Sequence, residues 1–160
     1  MNAPIRVFWQ AAVLMLLAGF SAAQADPLTT QDYVEIQQLY ARYNHAIDSG
    51  DSEGWAATFV PDGVFNEKFA GRGQLLEFMK VWKEKMNGAN RRHWNSNLSI
   101  TPAAQGANGT VLLMLLDVST KPPSIVMTGQ YTDVLVKTAD GWRFKSRVVK
   151  NDATPSQAKP

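Results

Sequence analysis

From Gln31 to about Asp48, the apolar residues Ile36, Leu39, Tyr40, Tyr43 and Ile47 recur at spacings of three and four, which predicts an amphipathic helix. Thr29 or Thr30 can cap its start, and Ser49-Gly50 ends it. Asp51 can then cap a short second helix carrying Trp55 and Phe59, after which Pro61-Asp62-Gly63 reads as a turn and Val64 to Glu67 as a brief strand. A third helix is expected from Gln74 to Met86, with Leu75, Phe78, Met79 and Trp82 facing inward. Beyond it the pattern changes to a period of two, rich in β-branched and aromatic residues. This predicts strands near 91–101, 109–118, 124–137 and 141–149, the last two joined at Asp140-Gly141. Helices first and an antiparallel run second describe an α+β domain whose helices cover one face of a curved sheet.

The N-terminal stretch falls outside this pattern. A lone Arg6, an apolar run from Ala11 to Phe20 and the small-x-small sequence Ala23-Gln24-Ala25 have the layout of a signal peptide. The apolar run is about half of the ~20 residues needed to span a bilayer. The expected organisation is therefore a signal peptide over 1–25, one domain over 26–151 and a polar tail over 152–160. The expected destination is periplasmic or secreted, with no stable membrane insertion after cleavage.

Composition narrows the chemistry. The chain has 160 residues with 16 Lys+Arg against 14 Asp+Glu, so no basic surface is available to dominate nucleic-acid binding. It has no cysteine, which excludes disulfides, zinc-thiolate sites and a thiol nucleophile. Its two histidines, His45 and His93, argue against an all-histidine metal site. Neither a metal nor a cofactor is expected.

On the first helix His45 falls opposite the apolar centre and reads as a solvated imidazole, whereas Asp48 falls at the flank of the buried stripe. A carboxylate in the last turn opposes the helix dipole, so Asp48 is either a turn-forming acid or one with a partner elsewhere. As a strand, 93–100 divides into a polar row of His93, Asn95, Asn97 and Ser99 and an opposite row containing Trp94, Leu98 and Ile100. The polar row is solvated in a flat sheet and lines a cavity in a curved one. Gly129, Tyr131 and Asp133 share one face of their strand, and Arg143, Lys145 and Arg147 share one face of the next. Arg147 is either a structural partner of Asp133 or a pocket residue.

The ordered set Tyr43, Ile47-Asp48-Ser49-Gly50-Asp51, Trp55, Phe59, Asp62-Gly63, Gly71-x-Gly73, Arg92-His93, Gly129-x-Tyr131-x-Asp133 and Asp140-Gly141-Trp142-x-x-x-x-Arg147 resembles the SnoaL-like branch of the nuclear transport factor 2 superfamily. The resemblance runs from about Gln31 to Val149. It implies a cone, a bent antiparallel sheet wrapped around the N-terminal helices, with a pocket at its open end and dimers formed through the outer sheet face. It also implies that the pocket tyrosine, aspartate and histidine of scytalone dehydratase and bile acid 7α-dehydratase correspond to Tyr43, Asp48 and His93, and a late-strand arginine of the latter to Arg147. A second pocket histidine of scytalone dehydratase has no counterpart in Val111 to Leu116.

The resulting expectation is a cofactor-free lyase of dehydratase type acting on a small hydrophobic ring compound by general acid-base catalysis. His93, Asp48, Tyr43 and Arg147 would carry the chemistry, and Tyr40, Trp55, Phe59, Phe65, Asn97 and Tyr131 would contact the ligand. The alternatives are a non-catalytic periplasmic binding module and an isomerase resembling ketosteroid isomerase, with Asp48 as base. The expected partners are a small-molecule ligand or substrate and a second copy of the chain.

Overall fold

The computed structural model describes residues 27–152, without the side chain of Ala89. The expected signal peptide and residues 153–160 of the expected tail lie outside the described residues. Helix α1 spans Thr30–Ser49, a residue longer at each end than the sequence pattern suggests. Its start is a capping box. The Thr29 hydroxyl accepts from the Asp32 N–H at 3.2 Å, and the Asp32 carboxylate accepts from the Thr29 N–H at 2.9 Å. Its end is Gly50, whose φ of 73° suits a residue without a β-carbon and whose N–H bonds back to the last turn. Ile36, Leu39, Tyr40, Tyr43 and Ile47 are buried, and His45 is exposed, as the helical phase requires.

Helix α2, Ser52–Ala56, is capped by Asp51, whose carboxylate accepts from the Gly54 N–H at 2.9 Å. Phe59, expected on this helix, instead opens strand β1, Phe59–Phe65. Pro61-Asp62-Gly63, expected as a turn, lies within β1, where the register against its neighbour shifts between Phe59 and Val64. Proline gives no N–H to a ladder, and such an irregularity is where a strand accommodates it. The two-residue β2, Phe69–Ala70, pairs back onto β1. Helix α3, Gly71–Lys85, begins three residues before the Gln74 start expected from the pattern and buries Leu75, Met79 and Trp82.

Four long strands follow: β3 Arg91–Ala103, β4 Gly106–Asp117, β5 Ser124–Thr138 and β6 Gly141–Asn151. The strand order is β2-β1-β6-β5-β4-β3, antiparallel throughout except for the parallel pair β1–β6. The sheet is curved and does not close, and α1 and α3 occupy its concave side. Register shifts between β3 and β4, β4 and β5, and β5 and β6 supply the bending, since each irregularity adds local twist.

Two of these shifts change which side chains face inward. In β3 the shift falls between Ser96 and Ser99, with Asn97 at a φ of 56°. Before it the odd positions point in and His93 is buried; after it Leu98 and Ile100 pack against the core while Asn97 and Ser99 are exposed. The continuous polar row expected along β3 is therefore broken in the middle. In β6, Val134 pairs with Ser146 and Leu135 with Phe144, so Lys145 is skipped. Trp142, Phe144 and Arg147 are buried as a result, and Arg143 and Lys145 do not share a face with Arg147.

Candidate active site

The last turn of α1 meets β3 through one carboxylate. Asp48 Oδ1 lies 2.6 Å from His93 Nδ1, and Asp48 Oδ2 accepts the His93 backbone N–H at 3.0 Å. An acid at a helix C-terminus is disfavoured by the backbone dipole, and these two contacts from another element are what hold it there. An ionised carboxylate only accepts, so Nδ1 carries the hydrogen. Neutral His93 then presents an unprotonated Nε2 on the far edge of its ring. The His93 side chain is 3% exposed and that of Asp48 14%.

His93 lines a cavity of about 180 Å³ between the concave sheet face and the helices. Tyr43 and Ile47 contribute from α1, Phe78 and Trp82 from α3, Phe65 and Asn66 from the end of β1, and Leu115, Met127, Tyr131, Val149 and Asn151 from the sheet. Met86, just beyond α3, completes the lining. The walls are mostly hydrocarbon and aromatic, with a few polar groups, as small-molecule sites generally are. Trp82 packs against the His93 ring at 5.5 Å between centroids. The Tyr43 hydroxyl is buried and has no hydrogen-bond partner among the described residues. Burial pushes the Tyr43 phenol up from its ordinary value, against the lowering influence of the Arg147 charge, so it stays a neutral O–H.

Arg147 lies behind Tyr43 and does not line the cavity. Its fully buried guanidinium donates from Nε to Asp133 Oδ1 and from Nη2 to Asp133 Oδ2, each at 2.8 Å. Tyr40 donates a short hydrogen bond to Asp133 Oδ2. The guanidinium carbon is 4.2 Å from the ring centroids of both Tyr43 and Tyr131 and 4.0 Å from that of Phe144. Burial pulls the Arg147 pKa down, but the Asp133 charge and its hydrogen bonds outweigh it, leaving the pKa raised and the group ionised. Gly109 makes room for the assembly, because a β-carbon there would sit 2.2 Å from the Tyr40 hydroxyl.

The structure thus brings His93, Asp48 and Tyr43 to one region, with Phe65 and Tyr131 also on the cavity wall. Tyr40, Trp55 and Phe59, expected as ligand contacts, pack behind that wall; Trp55 and Phe59 lie 5.5 and 6.1 Å from the Tyr43 ring. Asn97 is exposed, beside a separate surface groove with Gln37, Asn44 and Asn95. Phe78 and Trp82 read as core from their helical spacing and are cavity wall as well. Asn66 and Asn151 carried no periodic signal, because each lies at or beyond the end of a strand.

A model of the SnoaL-like domain matches residues 29–148. The chain belongs to the SnoaL-like family. No curated protein matches it. Among solved structures, Rv3472 of Mycobacterium tuberculosis, a protein of unknown function, is 27% identical with a TM-score of 0.72, over 82% of this chain and 83% of that one. Aln2 from a Streptomyces species is 27% identical with a TM-score of 0.71, over 79% and 95%. A protein from Catenulispora acidiphila in complex with S-DNPA is 30% identical with a TM-score of 0.69, over 78% and 96%. SnoaL-like proteins form a family of small-molecule-binding enzymes.

Proposed function

We propose that this SnoaL-like protein is a cofactor-free lyase of dehydratase type, acting on a compound with one ring, a carbonyl and a β-hydroxyl. The observation that carries the reading is the His93–Asp48 pair, with His93 on the lining of an apolar cavity. A cavity of about 180 Å³ is close to the ~150 Å³ known to take one benzene, so it suits a single substituted ring. His93 Nε2 takes the proton next to the carbonyl, and the C–H electron pair passes into the enolate. Asp48 stabilises the imidazolium formed. The buried Tyr43 hydroxyl donates to the developing enolate oxygen, a role that depends on its being fixed in a water-poor site. Collapse of the enolate expels the hydroxyl, which leaves as water with a proton from His93.

The isomerase alternative needs Asp48 as the base. Both Asp48 oxygens are engaged by His93, and Asp48 does not line the cavity, which favours His93 in that role. The same proposal includes a homodimer through the convex sheet face, where Trp94 is 64% and Leu112 44% exposed and a partner copy would cover them.

The test is 3-hydroxycyclohexanone, whose dehydration gives a conjugated enone followed by its absorbance. The full protein is expected to accelerate water loss over buffer, and His93→Ala to remove the acceleration. A ring β-hydroxyketone that binds and is recovered intact after long incubation would instead make the protein a binding module.

A further inference from the structure

The cavity has a second polar side, away from His93. Asn66 follows β1; its backbone N–H donates to the Arg147 carbonyl at 2.8 Å, and its side-chain Oδ1 accepts the Val149 N–H at 2.9 Å. A backbone N–H can only donate, so the Val149 contact fixes which prong of the amide is oxygen and leaves Nδ2 as a donor. Among the described residues Nδ2 has no acceptor. Asn66 and Glu67 both have positive φ, 51° and 55°, and the Lys68 N–H closes this turn onto the Phe65 carbonyl at 3.2 Å. The turn accounts for an asparagine backbone at this position and Val149 accounts for its oxygen, but neither uses the NH2 group. Asn66 is half-buried and lines the cavity from the β1 side of the sheet, whereas His93 lines it from β3 at the other end of the strand order. Asn151, the other amide on the lining, is exposed and has no side-chain anchor among the described residues.

We infer that Asn66 orients the ligand, donating its amide N–H to a second, neutral oxygen on the side of the ring away from the carbon that His93 deprotonates. The inference rests on the reading of His93 and Tyr43 as the reacting end, and extends it to the substrate class: a ring β-hydroxyketone that carries a further acceptor oxygen such as a ketone. An amide already held at its oxygen and its backbone gives up little freedom when it binds, so its hydrogen bond orients the ring at small entropic cost. A ring without that oxygen would leave the donor unpaired against hydrocarbon, which is unfavourable. Among the described residues no Lys, Arg, Asp or Glu lines the cavity, and the Arg147 charge behind the wall is matched by Asp133. A carboxylate or phosphate substituent would therefore lie there without a counter-charge, which restricts the second group to a neutral one.

The test compares two ketones that carry no leaving group, cyclohexanone and cyclohexane-1,4-dione, titrated into the full chain and followed by nitrogen-15 NMR. Asn66→Asp keeps an acceptor for the Val149 N–H and a residue that tolerates positive φ, but replaces the NH2 group by an oxygen; Asn66→Gly keeps the turn alone. The preference of the wild type, the Kd of cyclohexanone divided by that of the dione, is expected to fall about fivefold or more in either variant, with circular dichroism showing the fold retained. Saturating the wild type with the dione is expected to shift the Asn66 side-chain amide protons, a readout that needs no variant. A preference unchanged in a folded variant, or an Asn66 amide that does not respond at saturation, overturns the inference. Neither ketone can lose water, so the two readings fail separately. Failure of 3-hydroxycyclohexanone to dehydrate beside an Asn66-dependent preference would sink the lyase reading alone, and normal dehydration beside an unchanged preference would sink the role of Asn66 alone.

Discussion

Asp48 holds His93 at two points, the ring through Oδ1 and the backbone N–H through Oδ2, so one carboxylate fixes both the tautomer of the imidazole and the seating of β3 against α1. The two functions separate on substitution. Asp48→Asn retains a group able to accept the backbone N–H but presents the imidazole with a neutral partner. It is expected to fold, to show α1 intact by circular dichroism, and to lose about tenfold or more in dehydration rate. Full activity in a folded Asp48→Asn protein would remove Asp48 from the mechanism.

The Asp133–Arg147 pair makes a prediction about stability. Both side chains are fully buried, and each is the other's principal counter-charge. Arg147→Met leaves a buried carboxylate with only the Tyr40 hydroxyl as donor, and is expected to cost about 3–5 kcal/mol in urea unfolding. Exchanging both partners for apolar residues should cost much less than either single change. Equal losses in the single and double variants would show that packing around the rings, and not the charge, dominates there.

Asp32 ties the start of α1 to the last hairpin. Its Oδ1 accepts from Lys137 Nζ at 2.8 Å and Trp142 Nε1 at 2.9 Å, and its Oδ2 from Thr29. The hydrogen bond from Lys137, then those from Thr29 and Trp142, hold its carboxyl well below the usual range. The unfolded chain therefore binds this proton more readily than the folded one. The contribution is complete above about pH 4 and is lost as the pH falls through the lowered folded value. Urea midpoints are expected to drop on acidification below about pH 4, with a shallower fall in Asp32→Asn. Identical acid profiles would contradict the assignment.

The convex face predicts an oligomeric state. Leu112→Asp, on that face of β4, should convert the dimer to monomer in sedimentation velocity without loss of fold. A wild-type protein that sediments as a monomer at tens of micromolar, the concentration range in which modest interfaces of about −7 kcal/mol are populated, would contradict the proposed dimer.

Much of the scaffold was legible because its signals are local and repeated. The spacing of Ile36, Tyr40, Tyr43 and Ile47 sets the phase of α1, which puts His45 in solvent and Asp48 at the buried flank. Asp140-Gly141 marks the β5–β6 turn, where Gly141 has a φ of 95°. The illegible features are those that depend on what a strand meets. The irregularity at Asn97 exchanges the two faces of β3, and the skipped Lys145 separates Arg147 from the alternation of its own strand; neither changes the apolar–polar pattern enough to announce itself. Pro61-Asp62-Gly63 has the composition of a turn and is carried into β1 by the parallel neighbour β6. The aromatic residues give the opposite ambiguity. Trp55, Phe59, Phe65, Phe78 and Trp82 look alike in sequence, and only the curvature of the sheet decides which of them border the cavity.

The most direct test of the account compares three proteins on 3-hydroxycyclohexanone under identical conditions: wild type, His93→Ala and His45→Ala. The dyad predicts a fall of about two orders of magnitude for His93→Ala with the fold retained, and turnover near the wild-type level for His45→Ala. A folded His93→Ala protein that dehydrates the compound as fast as the wild type would contradict it.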